Sequence, residues 1–287
     1  MKIKNILSTN KVTVSLEVFP PKAWQNLDET MDVIKEMTAL APSFMSVTCR
    51  AGSTIDYTVD VASAIEKAGI PALAHLTCYS ADKAFTDYTL SRLRDENIEN
   101  VLALRGDLPS DGSPVKTDFA HANDLMAYIK KSNGDFCIGG ACYPDSHPES
   151  PSYNSDIDFL KKKEEDGADF LTTQMFFDNN LYYAFRYRML KANIKIPVVA
   201  GIMPVTNARQ VIRSAELSGT LLPPRFRAIA DRFGDDPAAM KQAGIAFATE
   251  QIIDLIANGT SHIHIYTMNK PEIARAIMTN LSDIISK

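Results

Sequence analysis

A chain of 287 residues, 45% of them hydrophobic, can bury a sizeable core, and its length fits two ordinary domains or one eightfold βα barrel. The formal net charge of −5 argues against a general nucleic-acid binder or a protein of acidic membrane surfaces, but leaves room for a local basic pocket that holds phosphates. No linker-like tract, low-complexity run or short repeat divides the chain, so residues 1–287 are expected to form one unit without a C-terminal regulatory domain.

In chain order, residues 1–8 carry two lysines but no apolar run long enough for a signal peptide. No later run is long enough to span a membrane, so a cytoplasmic location and no membrane partner are expected. The first strand is predicted over 12–18, with Glu17 near its end and Phe19-Pro20-Pro21 stopping it. An amphipathic helix follows over 27–40, with Met31, Ile34, Met37 and Leu40 at helical spacing. Strands are predicted over 44–49, 72–77, 101–104, 136–142, 170–176 and 197–203. A long helix over 238–258 carries Ile245, Ile252, Leu255 and Ile256 and stops at Asn258-Gly259. The last strand is predicted over 262–267. Cys49, Cys78, Cys137 and Cys142 lie in or beside these runs without CxxC spacing, which suits small buried thiols in a reduced compartment.

Strand and helix alternating eight times is the pattern of a parallel (β/α)8 TIM barrel. A doubly wound open sheet competes, but one that binds a dinucleotide carries a Gly-rich turn after its first strand. Here Phe19-Pro20-Pro21-Lys22 stands in that place, and neither GxGxxG nor a Walker A string occurs.

Active sites of such barrels lie at the C-terminal strand ends, and the residues there are polar. They are Glu17; Thr48; His75 and Thr77; Arg105 and Asp107; Tyr143 to Glu149; Thr173 and Gln174; and His264, Tyr266, Asn269 and Lys270. Each has a plainer reading. His75 alone suits a core imidazole bonded to backbone. Glu17 and Asp107 suit structural ion pairs with Lys22 and Arg105. Lys161-Lys162-Lys163 suits a solvated helix face. His262 and His264 alternate with isoleucines, so one face of that strand is expected to be functional. No HExxH or paired spacing suggests a metal, and none is expected.

Taken together, several strings resemble the bacterial-type methylenetetrahydrofolate reductases along nearly the whole chain. They are Glu17-Val18-Phe19-Pro20-Pro21, Ser46-Val47-Thr48, His75-Leu76-Thr77-Cys78, Leu104 to Pro109, Tyr143-Pro144 with His147-Pro148-Glu149, Thr173-Gln174 with Phe176-Phe177-Asp178, Gly201-Ile202-Met203-Pro204 and Tyr266-Thr267-Met268-Asn269. The resemblance implies a barrel that holds FAD non-covalently and works by a ping-pong reaction. NADH or NADPH reduces the flavin and leaves; 5,10-methylenetetrahydrofolate then accepts hydride and becomes 5-methyltetrahydrofolate, in one-carbon metabolism and methionine supply. It makes Glu17 the general acid and puts Asp107 between flavin and pterin. Thr48, Ala51, His75, Arg105, Gly106, Asp107, Ala122, Tyr143, His147, Asp156, Lys162 and Lys163 become FAD contacts, which moves Lys163 from surface to site. Thr48, Asp107, Gln174, Gln210 and Lys270 become substrate contacts, and a homo-oligomer is expected.

The chain departs from the family pattern at several positions. Cys49 stands where Tyr is usual, Phe159 where Asn is expected, Ser214 where an aromatic is often found, and Lys270 where Arg is usual. Losing an aromatic removes a stacking surface for planar ligands, and Lys270 lacks the bidentate fork that suits a glutamyl carboxylate. Two other functions compete: a flavin- or folate-binding subunit that works with an electron-transfer partner, and a pterin-binding methyltransferase barrel. Glu17, Asp107 and Gln174 together favour the reductase.

Overall fold

The computed structural model describes residues 1–21, 27–49, 55–79, 81–106, 117–132 and 135–285. Eight parallel strands, β1 (Thr13–Val18), β2 (Met45–Val47), β3 (Ala72–Thr77), β4 (Asn100–Leu104), β5 (Cys137–Cys142), β6 (Phe170–Thr173), β7 (Val198–Ile202) and β8 (His262–Tyr266), pair in sequence order. β8 returns to β1 and closes the barrel, with Thr13 opposite His262, Ser15 opposite His264 and Glu17 opposite Tyr266. The predicted alternation is therefore a (β/α)8 barrel and not an open sheet.

The strands are shorter than the apolar runs suggested. The run over 44–49 pairs only at Met45–Val47, leaving Thr48 and Cys49 beyond the ladder, and the run over 170–176 pairs only to Thr173. Apolarity outlasts pairing because residues past the strand ends still pack: Met175 and Phe177 join a second cluster with Phe226 and Phe247 above the sheet.

Around the barrel lie α2 (Leu27–Thr38), α3 (Ile55–Lys67), α4 (Lys83–Asp95), α5 (Ala122–Lys131), α6 (Tyr153–Glu165), α7 (Asn179–Lys191), α8 (Ala208–Ser218), α9 (Pro224–Phe233), α10 (Pro237–Ala257), α11 (Pro271–Asn280) and α12 (Ser282–Ile285), while α1 (Ile3–Leu7) precedes β1. Their outer-facing strand partners, such as Val14, Leu16 and Val18 of β1, are essentially fully buried in the main core. Asp82, Ser152, Asp178 and Asn207 cap helix N-termini with side-chain acceptors just after strand-to-helix loops, which fixes where those loops end, and Asp236 does the same between α9 and α10.

The lower interior is filled by Phe44, Leu73, Leu102, Cys137, Phe170 and Val199, and α1 adds Ile3 and Leu7 to this cluster. Asn100 fastens the N-terminal segment there: its Oδ1 accepts from the Ile3 N–H at 2.8 Å, and its Nδ2 donates to the Met1 carbonyl at 3.1 Å. The polar residues therefore gather at the opposite, C-terminal mouth. The short α1 was not among the predicted elements, because five residues carry too little periodicity to read. All four cysteines are free thiols, three buried and Cys49 partly exposed. Among the described residues, no helix is long and apolar enough to cross a membrane.

Candidate active site

Glu17 is a buried carboxylate of the mouth, at 8% exposure. Its inward direction follows from strand periodicity: Leu16 and Val18 face the helices, so Ser15 and Glu17 face the interior. Glu17 Oε2 lies 3.9 Å from His75 Nε2 and 4.0 Å from His264 Nε2. Both imidazoles are buried. For His75, burial outweighs the attraction of Glu17 and lowers the pKa to about 4, so the ring is neutral near pH 7. Its Nε2 has no hydrogen-bond partner among the described residues. The bland reading of a core histidine satisfied by backbone therefore fails at this atom.

His264 was expected on a functional face, and its setting fixes a tautomer. Ser15 Oγ donates to the Ile263 carbonyl at 3.0 Å, leaving its oxygen to accept from His264 Nδ1–H at 2.7 Å. His264 Nε2 then accepts from Ser46 Oγ at 3.2 Å, and the same nitrogen lies 4.0 Å from Glu17 Oε2. His262 faces the same interior one layer lower, where its Nδ1 lies 3.0 Å from Thr13 Oγ1. The alternation thus puts both histidines on one face, and height in the barrel separates the one beside Glu17 from the other.

A second group of residues follows the rim from β2 to α6. Thr48, just beyond β2, has an Oγ1 that is buried without a partner among the described residues. Arg105, just past β4, grips Glu149 with two hydrogen bonds of 2.5 and 2.9 Å and lies 5.9 Å from the Tyr79 ring centroid. Among the described residues Arg105 pairs with Glu149; Asp107, the partner read for it, lies outside them, as do Ala51 and Lys22. Gly106 takes φ +87°, and a Cβ there would stand 3.1 Å from Thr77 Cβ, so glycine is required by both conformation and space.

Tyr143 and His147 meet edge to face, with centroids 4.7 Å apart. Burial first, then Arg105, lowers the His147 pKa, and Lys163 acts in the same direction. Its Nδ1 accepts from the Glu149 N–H at 3.1 Å, which leaves the other ring nitrogen as the donor. Lys163 leaves α6 toward β5. Its stem passes the space above Gly140, where a Cβ would meet Met126 Cε at 2.7 Å and Lys163 Cδ at 3.7 Å. Its Nζ donates to the Ala141 carbonyl at 2.7 Å. Burial pulls the Lys163 pKa down and pushes that of the neighbouring Asp156 up. The lysine run is therefore not one solvated face, because Lys163 turns inward. Lys162 turns outward, with its side chain 57% exposed and 3.1 Å from Asp166, so it does not join this group. Ala122 is the first residue of α5 and is half-buried.

The expected substrate contacts lie on the other side, after β6, β7 and β8. Gln174 donates its backbone N–H to Cys142, and its side-chain oxygen accepts from the next peptide, Met175, at 2.9 Å. Gln210 is exposed in the first turn of α8. Lys270 precedes α11 and donates to Thr206 Oγ1 at 2.8 Å. Ser214 lies half-buried on α8, and its carbonyl accepts from Ser218. Phe159 is 58% exposed on α6.

Sequence reasoning missed several contributors, among them Ser15, Glu149 as the partner of Arg105, and Thr206. The readable signal was Gly201 in Gly-Ile-Met-Pro. A Cβ there would come within 2.5 Å of Tyr266 Oη, so glycine makes room for that phenol to cross the barrel and donate to the Thr173 carbonyl at 2.5 Å. Burial, with Glu17 second, pushes the Tyr266 pKa well above its ordinary value, so the phenol keeps its proton.

The arc from Thr48 to Lys163 suits FAD on observations of this molecule. It offers two buried polar atoms without described partners, Thr48 Oγ1 and His75 Nε2, and two cations, Arg105 and Lys163, that both depress the His147 pKa. Without a Gly-rich turn to supply backbone amides, a diphosphate needs such cations. Among the described residues no group of three or more His, Cys, Asp or Glu is arranged to hold a metal.

Comparison with known proteins agrees with this architecture. "Uncharacterized protein from Clostridium thermocellum binds two copies of 5-methyl-5,6,7,8-tetrahydrofolic acid" names a structure that matches with a TM-score of 0.64 at 12% identity, covering 100% of this chain and 99% of the other. At that identity it speaks for the fold alone. The Arabidopsis thaliana protein called methylenetetrahydrofolate reductase (NADH) 1 is 34% identical over 98% of this chain and 50% of its own length. The chain thus spans about half the length of such plant relatives. The 5,10-methylenetetrahydrofolate reductases of Pectobacterium carotovorum and Escherichia coli are 35% and 33% identical over 94% of this chain, and 90% and 91% of their own lengths are covered. The family described as methylenetetrahydrofolate reductase matches residues 2–282. The chain therefore belongs to the methylenetetrahydrofolate reductase family.

Proposed function

We propose that this chain reduces 5,10-methylenetetrahydrofolate to 5-methyltetrahydrofolate in two half-reactions, with a nicotinamide dinucleotide as electron donor. The observation that carries this reading is Glu17, a carboxyl group at 8% exposure between two imidazoles at the barrel mouth. FAD, when bound, supplies the hydride chemistry that links the two half-reactions.

The protein's part is to bind, orient and supply a proton. Arg105, Lys163, His147 and Thr48 hold the cofactor along the β2-to-α6 arc, and Ala51, Gly106, Ala122, Tyr143 and Asp156 complete the set that the family pattern assigns. Gln174, Gln210 and Lys270 hold either substrate on the opposite arc. Glu17 gives its proton to the ring nitrogen that leaves as the methylene bridge opens. Neutral His75 and the Nε2 of His264 lie beside that carboxyl. Asp107 offsets the positive charge that develops on the folate. NADH is the donor to test first, since three plant relatives carry it in their names.

An absorbance spectrum of the purified protein, followed by anaerobic bleaching with NADH and NADPH in turn, tests the reading. A yellow protein that bleaches and recovers its colour on adding methylenetetrahydrofolate is expected. A colourless protein would overturn the flavin assignment and favour a methyltransferase barrel. Bleaching without recovery would favour a binding subunit that serves an electron-transfer partner.

A further inference from the structure

Past Glu17 the first strand loses its ladder to β8, though Val18 still pairs with Val47 of β2. The last β1–β8 pair is Glu17 with Tyr266; beyond it β8 turns away, with Met268 at φ 54° and Asn269 at φ 55°, two successive left-handed residues that are not glycine. Asparagine tolerates that conformation better than most side chains. The side-chain amide of Asn269 then does what a strand backbone does elsewhere. Its Oδ1 accepts from the Phe19 N–H at 2.8 Å, and its Nδ2 donates to the Phe19 carbonyl at 3.0 Å. Thr267 Oγ1 donates to the Glu17 carbonyl at 2.6 Å.

The next residue is Lys270, whose N–H closes the same turn on the Thr267 carbonyl at 3.1 Å and whose Nζ reaches Thr206. The side-chain carboxyl of Glu17 makes no hydrogen bond within the described residues; the imidazole nitrogens of His75 and His264 lie 3.9 and 4.0 Å from it. Its aim is therefore set by the backbone on either side of it. On the N-terminal side that backbone is barrel strand, and on the C-terminal side one more strand residue, Val18, leads into the Phe19 peptide.

We propose that Asn269 is a positioning residue for Glu17, clamping the peptide that follows the acid to the turn that carries Lys270. This rests on the reading of Glu17 as proton donor, and it adds a link: the cation expected to meet the folate carboxylate and the acid expected to protonate its ring share one turn. Displacing an acid by a fraction of an ångström slows proton transfer while leaving a distant half-reaction alone.

Asn269→Gly is the primary variant, because glycine keeps the left-handed backbone and removes only the clamp. Its folate half-reaction is expected to fall about 30- to 100-fold, with nicotinamide reduction of the flavin within about threefold of the parent. Asn269→Asp remakes both bonds only when protonated, so its rate relative to the parent should climb as pH falls toward the carboxylate range. A purely structural role would slow both half-reactions together and give no such pH trend. Equal slowing, or a folate rate within twofold of the parent, would overturn the proposal.

A second measurement does not depend on turnover. In protein labelled with 13C at glutamate carboxyls, the Glu17 resonance is identified by its loss in Glu17→Gln. Its titration midpoint should move in Asn269→Gly, and an unmoved midpoint would overturn the clamp. If the parent shows no folate turnover at all, the proposed function fails, and the resonance still decides the role of Asn269.

Discussion

Replacing Glu17 by Gln removes a proton and almost nothing else. The amide has the shape of the acid, the site is 8% exposed, and the backbone is held from Thr267 independently of the side chain. General-acid contributions typically run from about 10² to 10⁴ in rate, which leaves the structure to decide where in that range this site falls. Among the described residues, the titratable groups nearest Glu17 are His75 and His264. His75, with a pKa of about 4, has roughly one ring in 10³ protonated at pH 7, and losing the neighbouring carboxylate would lower that further. It is therefore a poor substitute for the acid at neutral pH. The loss is expected near 10³-fold, about 4 kcal/mol of barrier, in the reoxidation of reduced enzyme by methylenetetrahydrofolate followed by stopped-flow absorbance. Flavin reduction by NADH needs no proton from this position and should stay within about threefold of the parent. Reoxidation near the parent rate would show that the proton comes from another group or from water, and equal loss in both half-reactions would show that Glu17 acts through packing.

Three further outcomes follow from the geometry. Burial holds the His75 pKa at about 4 against 6.5 in the unfolded chain, so its neutral form contributes stability that is complete above about pH 6.5 and lost as pH falls toward 4. Urea unfolding of the apoprotein should show about 3 kcal/mol less stability at pH 4 than at pH 6.5 from this group, and His75→Gln should flatten that part of the slope; an unchanged slope would contradict the assignment. Lys163→Ala combined with Arg105→Ala removes two charge-assisted bonds at about 1.5 to 3 kcal/mol each and should weaken FAD at least tenfold, read as flavin lost on dialysis. Full occupancy after extensive dialysis would remove both residues from the diphosphate. Gly201→Ala puts a methyl within 2.5 Å of Tyr266 Oη and of the Thr173 carbonyl, and overpacking of this kind costs about 1 to 3 kcal/mol. Chemical denaturation should show that loss, and a neutral substitution would mean that the phenol moves aside freely.

Much of this was legible before any fold was known. Strand periodicity alone sends Ser15, Glu17, His264 and Tyr266 to one face and Val14, Leu16, Ile263 and Ile265 to the other, because successive side chains of a strand point to opposite sides. The Pro residues after Glu17, with eight apolar runs alternating with helical stretches, fix a parallel barrel with its polar residues at one mouth. Local chemistry was enough for these conclusions, since they depend on neighbours within a few positions.

Contacts across the chain needed the tertiary structure. Nothing near Arg105 in sequence points to Glu149, 44 positions away; the two meet because the loop after β5 turns back over the end of β4. Lys161, Lys162 and Lys163 read as one run, yet a helix turns 100° per residue, and the space left by Gly140 on a neighbouring strand draws in only Lys163. Asn269 bonds a peptide 250 positions away, and closure of β8 onto β1 is what brings the two together. Sequence determined which residues belong at the mouth of the barrel, because that depends on period and strand order. The closed ring decided which of them touch, because in a barrel the nearest neighbours in space include the two ends of the chain.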